Sequence, residues 1–218
     1  MTQTKPYILY GGGNTRSAAP QMVLEEAGLP YELREVDIDN DAHREAGFLA
    51  INPAGYVPAL ATPEGDVLHE SNGIMLYLTD RHGLVDLAPG VDDPTRGPFL
   101  SKLFFQGHDI QPAMKRTFYP ERYVAGAETA EQVRQAAWVM AQDRWKVLDD
   151  HLAANGPYHL GERFSFLDLN MALWAAYGFD TTDDVINRFP AIHRCFDLVL
   201  DRPKSALFIE HIWGRKKG

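Results

Sequence analysis

The sequence predicts an α+β protein in which a small mixed unit of strands and helices is followed by helices alone. Strand-like and helix-like segments alternate through residues 1–83. Residues 84–97 are rich in proline, glycine and aspartate and have no helical period. Beyond them the strand signals disappear, and apolar residues recur at helical spacing. This segregation predicts two domains, 1–83 and 98–218, with 84–97 as the linker.

The elements of the first domain are expected in the order βαβ-α-ββα. The β-prone run at 7–10 is broken by three glycines, and the helical spacing of residues 16–28 ends at Gly28. Because proline is tolerated only in a first helical turn, Pro20 requires this helix to begin close to Ser17. The other predicted elements are a strand at 31–38, a short helix at 41–49, strands at 58–62 and 66–69 around a turn at 63–65, and a helix at 71–81.

The second domain is predicted to contain only helices. Ser165 and Asp168 have the spacing of a capping box, in which each side chain accepts from a backbone N–H near the helix start. Phe164 and Leu169 are spaced to form the accompanying hydrophobic staple. The predicted helices span 98–116, 129–154, 165–178 and 190–202.

Composition narrows the classes of function. The formal net charge of −9 argues against a nucleic-acid partner, because an acidic surface repels phosphates. No run approaches the roughly 18 apolar residues of a membrane span. The N-terminus has no signal-peptide pattern, and the only cysteine, Cys195, is expected to be buried and inert. The eight histidines show no ligand-spaced pair, so no metal is expected, and the simplest location is the cytoplasm.

The most informative segment is Ile-Asn-Pro-Ala-Gly-Tyr-Val-Pro-Ala-Leu at 51–60, followed by Leu-His-Glu-Ser at 68–71. Together with the βαβ-α-ββα order and the Ser165–Asp168 box, it resembles the glutathione S-transferase family over essentially the whole chain. The resemblance implies a thioredoxin-like N-terminal domain and a helical-bundle C-terminal domain. It also implies glutathione as co-substrate, a role in detoxification and a homodimer.

The same resemblance assigns residues to the binding of glutathione. Val57, which precedes a cis Pro58, would pair its backbone with the cysteinyl backbone of glutathione. Glu70 would pair with the γ-glutamyl ammonium, and Ser71 at a helix start would bind the γ-glutamyl carboxylate. Structural alternatives stay open, because Pro58 is also suited to begin an edge strand and Ser71 to cap a helix.

The glycine end of glutathione lacks an obvious partner in this chain. Family members often have lysine or glutamine immediately before the Val-Pro pair, whereas this chain has Tyr56, a candidate glutathione-binding residue whose hydroxyl can donate one hydrogen bond but carries no charge. The resemblance to serine-type members suggests His43 or Arg44 instead. The alternative is that both belong to a solvated helix face.

The resemblance also suggests where the thiol would be activated. Ser17 falls where serine-type transferases have their serine, with Thr15 and Asn14 as alternatives, although a serine before a helix also suits an N-cap. Arg16 stands about where cysteine-type members have their cysteine. Tyrosine-type members have their phenol in the first strand, where this chain has Tyr7 and Tyr10.

Three residues of the second domain are candidates for the pocket of an apolar electrophile: His108, Phe118 and Tyr119. Each is equally suited to ordinary packing or partial exposure. The leading expectation is a serine-type glutathione transferase whose thiolate attacks carbon by substitution or addition. The alternatives are a non-catalytic glutathione-binding or scaffold member of the fold, or a glutathione-dependent isomerase, dehalogenase or ether-cleaving enzyme. The electrophile itself is not predicted.

Overall fold

A computed structural model describes residues 5–13, 15–176 and 184–205 of the chain. The chain divides into two compact units. One comprises the residues up to Gly90 together with the segment that begins at Arg202, and the other is Val91–Asp201. Each unit is described by itself below.

The first unit is built on a four-stranded mixed sheet with the strand order β2-β1-β3-β4. Strand β1 pairs in parallel with β2, and the pairs β1–β3 and β3–β4 are antiparallel. Helices α1 and α3 contact each other. The bounds are β1 (Tyr7–Gly11), α1 (Ala18–Ala27), β2 (Tyr31–Glu35), α2 (Ala46–Leu49), β3 (Ala59–Ala61), β4 (Val67–His69) and α3 (Ser71–Arg81).

The predicted βαβ-α-ββα order is confirmed, with two local differences. Strand β2 ends at Glu35 rather than at residue 38, because its partner β1 ends at Gly11, which pairs with Glu35. The helix expected at 41–49 is divided into a 3-10 turn, Ala42–Arg44, and α2. Glu45 is extended between them, with φ −70° and ψ 151°, and so interrupts the helical run.

Helices alone make up the regular structure described in the second unit. Their bounds are α4 (Arg96–Phe105), α5 (Gln111–Phe118), α6 (Ala127–Asn155), α7 (Phe166–Ala175), α8 (Val185–Arg188) and α9 (Pro190–Leu200), with a further 3-10 turn at Pro120–Arg122. Phe99 and Phe166 meet edge to face in the core, with ring centroids 5.0 Å apart. The fully buried Trp145 contributes the largest side chain to this core.

A π-helical turn, Gln106–Ile110, joins α4 to α5 inside the segment that the sequence predicts as one regular helix. Its cause is Pro112, which lies immediately beyond it. Proline has no N–H to donate, and its ring clashes with the carbonyl four residues earlier, so the helix widens there. His108 lies within this widened turn.

The predicted capping box at the start of α7 is present, and it belongs to a larger buried network. Asp168 Oδ2 accepts from the backbone N–H of Ser165 at 2.8 Å and lies 3.1 Å from its hydroxyl. Asp168 Oδ1 accepts from the His159 backbone N–H at 2.9 Å and from His159 Nδ1 at 2.7 Å. One carboxylate therefore fixes both the helix start and the preceding loop.

Arg202 and Ser205 pack on α1, although the sequence pattern assigns them to the second domain. Arg202 Nε and Nη2 donate to the two carboxylate oxygens of Glu26 at 3.0 and 2.7 Å. The Ser205 hydroxyl donates to the same carboxylate at 2.7 Å. Burial alone would raise the pKa of Glu26, but these hydrogen bonds outweigh it and lower that pKa.

Candidate functional site

Three loops meet at one end of the sheet of the first unit. Tyr10 on β1 pairs with Ala59 on β3, which in turn pairs with His69 on β4. Both pairs are antiparallel, so the end of β1, the beginning of β3 and the end of β4 lie at the same end of the sheet. The segments brought together are the loop from Gly12 to Ser17, the pair Val57-Pro58 and the pair Glu70-Ser71.

A buried asparagine organises the segment that leads into β3. The predicted cis Val57-Pro58 bond is present. The Asn52 side chain donates to the Tyr56 carbonyl at 2.7 Å and accepts from the Ala54 N–H at 3.1 Å, which closes the turn before Val57. Sequence reasoning did not single out Asn52, although an Asn-Pro pair is a recognised turn signal.

Glu70 has an unusual backbone conformation at the start of α3. Its φ is +65° and its ψ is 114°, a region that L-residues other than glycine avoid at a cost of about 1–3 kcal/mol. Its carbonyl accepts from the Ile74 N–H at 2.9 Å, while its exposed side chain makes no capping bond. The carboxylate of Glu70 therefore lies in solvent beside the first turn of α3, and the next residue, Ser71, is buried.

The candidates for the glycine end pack against the turn that precedes Val57. The Arg44 guanidinium lies 5.2 Å from the centroid of the Tyr56 ring. His43 belongs to the same 3-10 turn, and its Nδ1 is buried without a hydrogen-bond partner among the described residues. Gly55 in this turn has a φ of +63°, a left-handed conformation that residues with a Cβ rarely adopt, so the turn favours glycine. The structure thus brings Arg44, His43 and Tyr56 together.

The loop between β1 and α1 holds its two hydroxyl groups in an internal network. Thr15 Oγ1 donates to the Gly12 carbonyl at 2.9 Å, which uses its only proton. The 2.6 Å contact between Thr15 Oγ1 and Ser17 Oγ therefore has Ser17 as donor. Ser17 Oγ also accepts from the Gly12 N–H at 2.8 Å. Ser17 is completely buried and Thr15 is 7% exposed, so both protons are committed inside the loop.

These contacts bear on the predicted thiol-activating residues. Ser17 occupies the N-cap position of α1, as the alternative expected, but its side chain makes no capping bond. Catalytic roles for Ser17 and Thr15 stay predictions, and either residue would have to give up an internal bond to donate to a ligand. Asn14, the other alternative, lies outside the described residues.

Arg16 extends from the same loop to the segment before β3. Its Nη2 lies 3.3 Å from the Val57 carbonyl oxygen, to which it donates. The side chain is half-buried. A positively charged group therefore lies beside the Val57 carbonyl, which the family resemblance predicts to bind glutathione.

The tyrosines of β1 are engaged elsewhere. Tyr7 begins the strand, at the opposite end from the three loops, and its hydroxyl lies 2.7 Å from His82 Nε2. Burial raises the pKa of Tyr7 to about 12. The Tyr10 hydroxyl accepts from Arg34 at 3.2 Å. The geometry therefore favours neither phenol as a thiol activator.

The three candidates for an electrophile pocket lie in the second unit. His108 is exposed, and its Nδ1 donates to the Phe104 carbonyl at 3.1 Å. Phe118 is half-buried, and the Arg122 guanidinium stacks 4.1 Å from the centroid of the exposed Tyr119 ring. Their assignment to an electrophile pocket stays a prediction. Cys195 is fully buried, as expected, and burial raises the pKa of its thiol well above the usual range.

Within 5–13, 15–176 and 184–205, no helix is long and apolar enough to cross a membrane. Within the same ranges, no group of three or more His, Cys, Asp or Glu side chains is arranged to hold a metal ion.

Known proteins resemble the chain in both sequence and structure. Residues 17–81 match the family model for the glutathione S-transferase N-terminal domain. Glutathione S-transferase 3 of Zea mays is 33% identical, over 71% of this chain and 69% of its own length. Maleylacetoacetate isomerase of Pseudomonas aeruginosa is 29% identical, over 87% of this chain and 89% of its own.

A solved structure extends the likeness to the whole fold. The glutathione transferase homologue from Sulfitobacter, crystallised with bound glutathione, superposes with a TM-score of 0.81 at 25% identity, over 93% of this chain and 96% of its own. This confirms the thioredoxin-like N-terminal domain and the helical C-terminal domain. Given also the identity and coverage shared with the maize enzyme, the chain belongs to the glutathione S-transferase family.

Proposed function

We propose that this protein binds glutathione at the end of the sheet where the three loops meet, and activates its thiol for attack on an electrophilic carbon. The observation that carries the proposal is the row Tyr10, Ala59 and His69, which places Val57, Glu70 and Ser71 at the same end of the sheet. A short peptide laid across that end would meet backbone groups, a carboxylate and a helix start. Those groups complement the amide, ammonium and carboxylate of glutathione.

Glutathione would be held by three residues at this end of the sheet. Val57 would pair its backbone with the cysteinyl residue, and Pro58 would keep that backbone turned outward. Glu70 would accept from the γ-glutamyl ammonium, while Ser71 and the first turn of α3 would bind the neighbouring carboxylate. A charge-assisted hydrogen bond of this kind contributes roughly 1.5–3 kcal/mol.

The glycyl carboxylate would be bound by Arg44 and His43. Arg44 already stacks on Tyr56, and an aromatic platform reduces the conformational freedom that a guanidinium loses on binding. His43 belongs to the same 3-10 turn as Arg44, so its imidazole would supply a second hydrogen-bond donor beside the guanidinium. These observations favour binding of the glycyl carboxylate of glutathione by this turn, although the chain lacks the lysine that family members often have before the Val-Pro pair.

The chemistry would start from the thiolate of bound glutathione. A free thiol has a pKa near 8.5, so lowering it by about two units needs roughly 2.7 kcal/mol of preferential thiolate stabilisation. The amino end of α1 and the loop before it, with Ser17 and Thr15, are the candidate source in the first unit. The thiolate would then substitute or add at carbon.

A second candidate is a glutathione-dependent isomerase. The likeness to the isomerase of Pseudomonas aeruginosa favours it, because addition and later expulsion of the thiolate would use the same binding groups. A scaffold role is favoured by the internally committed hydroxyls of Ser17 and Thr15. We also propose that the protein forms a homodimer in the cytoplasm. An apolar electrophile would contact His108, Phe118 and Tyr119.

Thermal unfolding with and without glutathione tests the binding function. A ligand present at about 100 times its dissociation constant adds roughly 2.7 kcal/mol of stability, which corresponds to a rise in Tm of about 5–10 °C for a chain of this length. Ser71→Ala should reduce the shift, whereas Ser101→Ala, a matched change on the exposed side of α4, should preserve it. No shift in the parent protein would refute the proposal.

Turnover separates the transferase from its alternatives. The parent protein should consume glutathione with a halogenated aromatic electrophile if it is a transferase. It should convert cis to trans alkenes, with no net loss of glutathione, if it is an isomerase. Glutathione binding without either activity would support the scaffold role instead.

A further inference from the structure

We propose that the Arg16 guanidinium provides the positive charge that stabilises the thiolate of bound glutathione. This inference rests on the proposed function, since it assigns a role within the same site. It replaces a neutral hydroxyl donor with a permanent cation as the main activating group. It also gives a function to a residue that the sequence marks only as a departure from the cysteine-type pattern.

The position of Arg16 relative to Val57 is the first argument. Its Nη2 lies 3.3 Å from the Val57 carbonyl oxygen, 41 residues away in sequence. That carbonyl is the group proposed to accept from the cysteinyl N–H of glutathione. The cysteinyl sulphur is only two bonds from its own Cα, so a guanidinium at this carbonyl would also lie near the sulphur.

The commitment of the two neighbouring hydroxyl groups is the second argument. The Thr15 proton is donated to the Gly12 carbonyl, and the Ser17 proton is donated to Thr15. Ser17 is fully buried, and a Cβ added to Gly11 would lie 2.1 Å from its Cβ, so the side chain is also tightly enclosed. Donation by either hydroxyl to a ligand would give up an internal hydrogen bond, whereas the Arg16 guanidinium already contacts Val57 outside the loop.

The chemistry of arginine is the third argument. The guanidinium remains protonated throughout the pH range in which thiols titrate, and its charge favours a nearby thiolate whichever N–H points at the sulphur. An adjacent opposite charge lowers the pKa of an acid by about 1–3 units. A shift of about two units, within that range, would bring a thiol of ordinary acidity to a mostly ionised state near neutral pH.

The decisive measurement is the pKa of the bound thiol. Glutathione is added at saturation to the full chain, and the ultraviolet absorbance of the thiolate is followed against pH. Relative to the parent protein, Arg16→Gln should raise the pKa of the bound thiol by about 1–2 units. In Arg16→Lys the pKa of the bound thiol should lie between the values for the parent protein and Arg16→Gln. Arg134→Gln, which removes a half-exposed arginine on α6 of the second unit, should leave that pKa unchanged.

Affinity for S-methylglutathione separates thiolate stabilisation from general binding, because this analogue has no ionisable thiol. Arg16→Gln should bind it within about three-fold of the parent protein, a difference below 1 kcal/mol. An equal loss of affinity for both ligands would overturn the inference, because Arg16 would then be a binding residue. Thermal unfolding of the unliganded variants establishes that each one folds.

The outcomes distinguish this inference from the function on which it rests. If the parent protein binds no glutathione, the proposed function fails and the inference fails with it. If the parent binds glutathione and Arg16→Gln leaves the thiol pKa unchanged, only the inference is overturned. A rise in the thiol pKa in Ser17→Ala but not in Arg16→Gln would return the role to the hydroxyl.

Discussion

Glu70 offers a test in which stability and ligand binding should change in opposite directions. Its φ of +65° places a residue with a Cβ where glycine is normally preferred. In Glu70→Gly, relief of about 1–2 kcal/mol of backbone strain is partly offset by about 0.5–1 kcal/mol from the greater freedom of glycine in the unfolded chain. The expected net gain is therefore about 0.5–1 kcal/mol, or a rise in Tm of about 1–4 °C.

The same substitution should weaken glutathione binding. Loss of one charge-assisted hydrogen bond, about 1.5–3 kcal/mol, corresponds to an affinity roughly 10- to 100-fold lower. Glu70→Gln is the matched control, because it keeps the side-chain length and the strained backbone but removes the charge. It should leave Tm unchanged and weaken binding to an intermediate degree.

Two measurements decide the Glu70 prediction: thermal unfolding without ligand, and calorimetric titration with glutathione. If Glu70→Gly lowers Tm, the backbone of Glu70 is not strained and the reasoning from its φ is refuted. If both variants bind glutathione as tightly as the parent protein, Glu70 does not contact the ammonium. Only a higher Tm together with weaker glutathione binding in Glu70→Gly supports the conclusion that the protein retains a strained Glu70 backbone because Glu70 binds the ligand.

Three further predictions concern other parts of the molecule. Asp168→Asn should lower the free energy of unfolding in urea by about 2–4 kcal/mol, because buried donors lose their acceptor, whereas Ser165→Ala should cost only about 1 kcal/mol. Equal losses would refute the wider Asp168 network. Glu26→Gln should destabilise the protein by about 1–3 kcal/mol at neutral pH. Since the pKa of Glu26 is lowered on folding, this loss should shrink as pH falls below the ordinary value of 4.5, and a constant loss would contradict it. Ser71→Ala should weaken binding of glutathione by about 10-fold without abolishing it, because the backbone amides of α3 remain, as calorimetry would show.

Sequence reasoning succeeded where a local pattern has one structural solution. The helix at 71–81 has the predicted bounds, and the Ser165–Asp168 spacing forms the predicted capping box. In both cases the determining residues are close in sequence, so the pattern contains most of the information. The same is true of the Val57-Pro58 bond, which is cis as the resemblance implied.

Sequence reasoning was less complete where a distant partner decides the local conformation. Pro112 was visible as a helix breaker, yet the chain responds with a π turn instead of ending the helix. No sequence rule gives a glutamate a positive φ, so the conformation of Glu70 depends on the strand and helix on either side of it. The His159 contact with Asp168 likewise depends on a loop whose course the sequence pattern does not define.

The loop before α1 shows why a residue type at the expected position is weak evidence for a catalytic role. Ser17 stands where a serine-type transferase would have its nucleophile activator, but a hydroxyl has one proton, and here Thr15 receives it. Which neighbour receives that proton depends on side-chain directions within a buried loop, which neither spacing nor composition determines. A guanidinium carries a charge that no internal hydrogen bond removes, so the influence on a thiolate that we propose for Arg16 does not depend on the loop network. The activating group of this site is therefore better sought by asking which charge or proton is still available to a ligand than by position alone.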